Sequence, residues 1–246
     1  MKDSEIKEFV KKFYAKVATS RCSCCGSLPS SPSGVELARS VGYSNGELKD
    51  LPAGAIEAFD GCGNPVAFSE LKEGETVLDI GSGGGLDAFL AAKKVGTAGR
   101  VVGIDFTKEM IQKAMRNVRE LGLKNVEFRL GDAEDMPIES SSVDVVISNC
   151  VINLAPDKDK VFKEAYRALK PGGRMVISDI VTERELPDEI RGDPRYWAGC
   201  VAGALDLRDY LRKIKKAGFK HVKVLSRTNF GNAILSIKVK AQKSED

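Results

Sequence analysis

The stretch Val77-Leu78-Asp79-Ile80-Gly81-Ser82-Gly83-Gly84-Gly85-Leu86-Asp87 decides the fold. Its first half is a short apolar run of strand length, and its second half is a glycine turn. The residues that follow, through Val95, read as a helix. A buried strand that runs through glycines into a helix is the opening unit of an open α/β sheet. In such sheets the ligand binds at the carboxyl ends of the strands. Glycines let the backbone approach that ligand, and the helix start offers unpaired N–H groups.

The alternation continues outward from this unit. Strands are expected at Arg100–Ile104, Val126–Leu130, Val143–Ser148 and Arg174–Ile180. Thr107 can cap a helix running to Leu121, with Ile111, Ala114, Val118 and Leu121 along one face. A further helix is expected over Lys158–Leu169. Asp206 caps a last amphipathic helix that closes at Gly218. Two period-2 strands, Val222–Thr228 and Ala233–Val239, end the pattern, with Asn229–Asn232 as the hairpin signal between them. The expected core is a doubly wound, seven-stranded, mostly parallel sheet with an antiparallel C-terminal hairpin. It occupies residues 70–246, with an insertion near 182–205. Residues 1–69 form an N-terminal extension. There, Ile6, Phe9, Val10, Phe13, Tyr14 and Val17 have helical spacing, and a loop rich in Ser, Gly, Pro and Cys follows.

Composition narrows the function. Lys plus Arg number 38 against 35 for Asp plus Glu, so the net charge of +3 leaves no footprint for nucleic acid or an anionic membrane. The run Arg212-Lys213-Ile214-Lys215-Lys216 reads as a solvated helix face. No apolar run approaches membrane-span length, and the N-terminus lacks a signal-peptide core, so a cytoplasmic location is expected. His221 is the single histidine, which argues against Ser-His-Asp or Cys-His catalysis. Six cysteines are present: Cys22, Cys24, Cys25, Cys62, Cys150 and Cys200. Structural disulfides are a poor default in a reducing compartment.

The glycine turn alone would also suit nicotinamide or flavin enzymes. Leu86, however, stands where a dinucleotide fingerprint needs Gly or Ala. Asp105 ends the second strand, where an acidic residue can accept hydrogen bonds from ribose hydroxyls. The third strand runs into Gly131-Asp132-Ala133, suited to reading an adenine edge. In this order and spacing, residues 70–241 resemble class I methyltransferases. The resemblance implies a site for S-adenosylmethionine: Asp79, Gly81, Ser82 and Gly83, then Asp105 with Phe106, then Asp132 and Ala133, with Asn149 beside them.

Three cysteines occupy telling places. Cys150 follows the fourth strand in Ser148-Asn149-Cys150-Val151-Ile152-Asn153-Leu154, on the ligand-facing edge. Cys62 lies between glycines in Gly61-Cys62-Gly63-Asn64-Pro65, a polar turn where burial for packing is not expected. Cys200 lies in Cys200-Val201-Ala202-Gly203-Ala204-Leu205, within the insertion. Taken singly, Cys150 and Cys200 read first as small buried hydrophobes. GCGNP, SNCVINL, LKPGGR, SDI and CVAGAL together, in this order, resemble the arsenite methyltransferases. That resemblance implies that Cys62, Cys150 and Cys200 supply thiolates to trivalent arsenic, either arsenite or methylarsenite. It also implies that an external thiol or thioredoxin-type reductant serves the reaction. Soft thiolates suit a soft metalloid. Cys22, Cys24 and Cys25 are accessory candidates among which the sequence does not choose. A zinc site ranks lower, because Cys-Ser-Cys-Cys lacks paired ligand spacing. Two other readings stay open: a carbon methyltransferase of the quinone-methylating type, and a non-catalytic arsenic-binding protein.

Overall fold

The computed structural model describes residues 2–19 and 33–245. Cys22, Cys24 and Cys25 therefore lie outside the described residues. Five helices precede the sheet: α1 (Asp3–Thr19), α2 (Gly34–Ser40), α3 (Asn45–Leu48), α4 (Ala53–Glu57) and α5 (Pro65–Phe68). The short α2 and α3 each begin with a serine capping box, Ser33 with Glu36 and Ser44 with Glu47.

The sheet is built from β1 (Thr76–Ile80), β2 (Arg100–Asp105), β3 (Val126–Leu130), β4 (Val143–Asn149), β5 (Leu169–Thr182), β6 (Lys220–Gly231) and β7 (Ile234–Gln242). Its spatial order is β3-β2-β1-β4-β5-β7-β6. β1 through β5 run parallel, β7 is antiparallel to β5, and β6 is antiparallel to β7. This is the seven-stranded mixed sheet with an antiparallel end that the periodicity predicts. The remaining helices are α6 (Leu86–Val95), α7 (Lys108–Leu121), α8 (Lys158–Ala168), α9 (Asp188–Arg191), α10 (Pro194–Ala198) and α11 (Leu207–Lys216), with a 3-10 turn at Ile152–Leu154. Among the described residues no helix is long and apolar enough to cross a membrane.

Both faces of the sheet are covered, so its central strands are continuously apolar rather than alternating. One core packs Leu78, Ile104, Val146 and Ile177 with Phe162 of α8 and Tyr210 of α11. The other packs Val77, Val101 and Ile147 with Phe89 of α6 and with Ala38, Tyr43 and Ile56 of the N-terminal segment. The chain reverses its winding between β1 and β4, which pair with Ile80 opposite Ser148. A cleft opens where neighbouring strand ends lead their loops in opposite directions. Gly81 and Cys150 both start at that point.

Three local features differ from the sequence reading. β5 begins at Leu169, not Arg174, and absorbs Lys-Pro-Gly-Gly through a register shift between Val143 and Val145. Arg174 then reaches back to chelate Glu75 and the carbonyls of Ser69 and Glu70, locking the linker before β1. The hairpin turns at Asn232 and Ala233, both at positive φ (52° and 63°), three residues beyond the expected Asn229 start. A two-residue turn with both centres left-handed matches strand twist, so β6 is extended to reach it. Thr107 occupies the N-cap of α7, but its side chain makes no cap bond. Instead the Asp105 carboxylate accepts the Thr107 N–H at 2.8 Å.

Candidate functional site

The cleft at the switch point measures about 670 Å³ and continues into a second lobe of about 420 Å³. Asp79, Gly81, Ser82, Gly83, Asp105, Phe106 and Asn149 line the first lobe. Asp132 and Ala133 line the second, along with Asp105 and Phe106. Every cofactor residue expected from the sequence thus faces one continuous cavity. Gly81 has φ +71°, and a Cβ there would stand 2.1 Å from Val151 Cγ2. The turn therefore needs glycine for its backbone and for the approach of the Cys150 segment.

Three carboxyls crowd the floor of the first lobe. Burial, followed by the charges of Asp87 and Asp105, drives the Asp79 pKa well above the carboxylate range. Burial pushes Asp87 up to about 6, against hydrogen bonds from Tyr43 and Asn149. Asp105 rises to about 6 for the same reason, partly offset by the N–H groups of Thr107 and Gly83. Asp79 Oδ2 and Ser82 Oγ are buried without a hydrogen-bond partner. Buried polar atoms left unpaired in a cavity point to a ligand that pairs them. A ligand carrying an ammonium and hydroxyl donors fits this acceptor-rich floor.

The three cysteines meet at the lip of the same cleft. Cys62, Cys150 and Cys200 form one buried cluster with Ile180 and Ala204, although they come from three remote segments. The neighbouring thiols of Cys200 and Cys62, ahead of burial, raise the Cys150 pKa well above the ordinary thiol value. The bond to Cys150 pulls Cys200 down, but burial and the charges of Asp60, Asp179 and Cys62 outweigh it and leave Cys200 raised. The Cys200 thiol donates to the Cys150 carbonyl at 2.9 Å. In this arrangement no three His, Cys, Asp or Glu side chains among the described residues are grouped to hold a metal ion. The expectation for Cys62 is corrected: it is only 6% exposed. Its carbonyl accepts Ser236 Oγ of β7 at 2.7 Å, and its N–H donates to Asn149. The polar turn is pressed onto the sheet end rather than left in solvent.

Cys150 and Cys200 both have left-handed backbones, with φ of 61° and 59°. Glycine or asparagine is the default at such positions, and another residue there costs about 1–3 kcal/mol.

A family profile described as "Methyltransferase domain" matches residues 71–218. The solved structure of an arsenic (III) S-adenosylmethionine methyltransferase from Chlamydomonas reinhardtii is 37% identical. It covers 87% of this chain and 75% of that one, with a TM-score of 0.73. This chain belongs to the arsenite methyltransferase family. The curated arsenite methyltransferase of Halobacterium salinarum is 46% identical over 230 residues, covering 89% of this chain and 59% of the relative. The human arsenite methyltransferase is 35% identical over 233 residues, again 89% and 59%. The chain thus spans about three-fifths of the length of these curated relatives.

In this member of the arsenite methyltransferase family, the structure adds residues that the sequence reading missed. α1 lies across the cleft and packs against α7 and α10. Its Lys7 pairs with Asp132 at 2.6 Å and Glu134 at 2.8 Å. The Tyr14 hydroxyl is shared between Asp60 Oδ2 at 2.9 Å and the Ala198 carbonyl at 3.1 Å. Tyr14 thereby joins the segments carrying Cys62 and Cys200. Asn153 donates to the carbonyls of Ile180 and Cys200, fastening the insertion to the end of β5. Beneath it Lys158 is buried against Trp197 and bonds two carbonyls, and burial lowers its pKa to about 8. Asp87 carried a detectable signal, an acid in the first turn of the helix after the glycines. Lys7 and Tyr14 carried none, because their partners lie 46 to 184 residues away.

Proposed function

We propose that this chain methylates trivalent arsenic with S-adenosylmethionine, holding arsenic on Cys62, Cys150 and Cys200. The observation that carries this reading is the convergence of three cysteines, two of them on strained backbone, at the lip of a cleft floored by buried carboxyls. Asp79, Ser82 and Asp105 would hold the cofactor, with Phe106 and Ala133 beside its base. When bound, the cofactor supplies a methyl carried on a sulfonium to an arsenic lone pair, chemistry that moves no proton.

The chain's own residues bind, orient and exclude water. Arsenite enters as As(OH)3, and each As–S bond that forms releases one hydroxide ligand. The thiol proton leaves with that hydroxide as water. Three thiols and As(OH)3 thus give a three-sulfur site and three waters. Neutral thiols, favoured by the raised pKa values of Cys150 and Cys200, are the reactive stock for this exchange and supply its protons. The Cys200 bond to the Cys150 carbonyl opens as arsenic enters. Methyl transfer uses the arsenic lone pair and leaves arsenic pentavalent. Two cysteine ligands then leave as a disulfide, which returns arsenic to the trivalent state. An external thiol or thioredoxin-type dithiol reduces that disulfide, which suits a cytoplasmic setting.

The test combines protein, S-adenosylmethionine, arsenite and a thiol, followed by separation of arsenic species. Methylated arsenic supports the reading. Cofactor binding without arsenic methylation would favour a carbon acceptor instead.

A further inference from the structure

Asn149 carries more hydrogen bonds than its place on the cleft wall requires. Its carboxamide oxygen accepts the N–H of Cys62 at 3.0 Å and that of Gly63 at 3.3 Å. Its amide nitrogen donates to the Gly63 carbonyl at 2.6 Å, to Asp87 Oδ2 at 3.1 Å and to the Tyr43 hydroxyl at 3.0 Å. Tyr43 in turn donates to Asp87 Oδ1 at 2.6 Å. A carboxamide has two N–H donors and two lone pairs. Two backbone donors fill the oxygen, and three acceptors share the two hydrogens. No side-chain capacity remains in this arrangement, so a cofactor contact of Asn149 would fall to its main chain.

The glycines of the Cys62 turn explain how this is possible. A Cβ on Gly61 would lie 2.5 Å from the Asn149 amide nitrogen, and one on Gly63 would lie 2.6 Å from Ser178 Oγ. Only a turn without side chains on either flank of Cys62 can seat on the end of β4 and donate both N–H groups to the Asn149 oxygen. Asn149 also precedes Cys150 directly, and it pairs with Ser178 in the sheet. One residue thus fixes Cys62 through its side chain and Cys150 through its backbone. Its orientation is set from behind by Asp87 and Tyr43.

We infer that Asn149 is a positioning residue that sets the spacing between the Cys62 and Cys150 thiols. This rests on the proposed arsenic site for its function, but its structural claim concerns Cys62 alone. The Asn149→Ala variant also removes a hydrogen bond from Asp87 on the cleft floor, so S-adenosylhomocysteine affinity is measured as a control and the arsenical affinities are the readout. Its affinity for arsenite, which needs three sulfurs, should fall at least tenfold. Its affinity for phenylarsine oxide, which needs two, should stay within about threefold. X-ray absorption at the arsenic edge should count three sulfurs in the parent chain and two in the variant. Without arsenic, alkylation of Cys62 should accelerate while that of Cys150 and Cys200 does not.

Should Asn149→Ala fail to fold, Gly61→Ala pushes on the same carboxamide from the cleft wall, and it should give the same split between arsenite and phenylarsine oxide. A tenfold loss of S-adenosylhomocysteine affinity with arsenite binding intact would overturn the inference, as would unchanged Cys62 alkylation. If the parent chain shows no arsenic–sulfur ligation, the arsenic reading fails instead. The alkylation rates then still decide whether Asn149 holds Cys62.

Discussion

The Cys200 thiol donates to the backbone carbonyl of Cys150, 2.9 Å away, and both residues sit in the left-handed region. The Cys200 sulfur is thus held beside the Cys150 main chain before any ligand enters. Cys150→Ser and Cys200→Ser should each abolish arsenic methylation, because a hydroxyl oxygen is a harder donor than sulfur and holds a soft metalloid poorly. Both variants keep the backbone strain and nearly the same volume, so unfolding free energy should stay within about 1 kcal/mol of the parent chain. Urea melts paired with arsenic speciation check this. Full activity in either variant would return that cysteine to a packing role.

Cys62 should separate the two methylation rounds. Arsenite offers three ligand positions and methylarsenite two, and Cys150 with Cys200 is the directly bonded pair. Cys62→Ser should therefore lose methylation of arsenite while retaining that of methylarsenite. The reason is ligand count, not mobility, since the Cys62 turn is fixed by Asn149 and Ser236. Equal failure on both substrates in a folded, cofactor-competent variant would place Cys62 in a permanent three-sulfur site.

Asp105 tests the cofactor floor. Asp105→Ala would also free the N–H groups of Gly83 and Thr107 and loosen the glycine turn. Asp105→Asn keeps an acceptor and is the cleaner probe. It should weaken S-adenosylhomocysteine binding by about 1.5–3 kcal/mol, roughly 10- to 150-fold. Calorimetry showing unchanged affinity would remove Asp105 from the site.

The buried carboxyls predict a pH dependence. Asp87 and Asp105 sit at about 6 in the folded chain, above their unfolded value near 4. The folded state therefore binds more protons than the unfolded one between those values. The stability these groups contribute is full below about pH 4 and is lost as pH rises through about 6. A cationic ligand favours the ionised forms and reverses the trend. Cofactor affinity should rise from pH 5 to 7.5, about tenfold per carboxyl that engages the ligand. Binding near pH 6 should release protons. Calorimetry in buffers of different ionisation heat measures that release directly, and affinity flat across this range would contradict it.

Tyr14 should hold α1 over the cleft. Tyr14→Phe loses the bonds to Asp60 and Ala198 but keeps the ring, at a cost of about 1–3 kcal/mol. Amide exchange across residues 3–19 should quicken by that amount, and both S-adenosylhomocysteine and arsenite should bind more weakly. Unchanged exchange would show that α1 is held by packing and the Lys7 pairs.

The sheet and the cofactor turn were legible because strand periodicity and a glycine-rich turn are local signals. Asp79, Gly81 and Asp105 each stand at a strand end, a position that the sequence alone can specify. The burial of Cys62 against Cys150 and Cys200 was not legible. Glycine neighbours usually mark a solvated turn, and here they admit the Asn149 carboxamide. Asn149 lines the expected cavity, but its bonds to the Cys62 turn could not be read. Its neighbours Tyr43 and Asp87 lie 106 and 62 residues away, and nothing local in the sequence joins them. The hairpin was found, but its turn was placed early, because Asn-Phe-Gly-Asn is the stronger composition signal and Asn232-Ala233 the better twist match.

Ser236 of β7 closes on the carbonyl of Cys62 across 174 residues. β7 follows all three cysteines in the chain, and it must insert between β5 and β6 before that bond can form. Contacts of such separation slow folding. A nascent chain arrested before β7 would carry all three site cysteines without the lattice that sets their distances. During synthesis those thiols would be ordinary and dispersed, open to stray oxidation or to capture of arsenic in the wrong stoichiometry. The spacing of the three thiols is therefore set late, once β7 has joined the sheet.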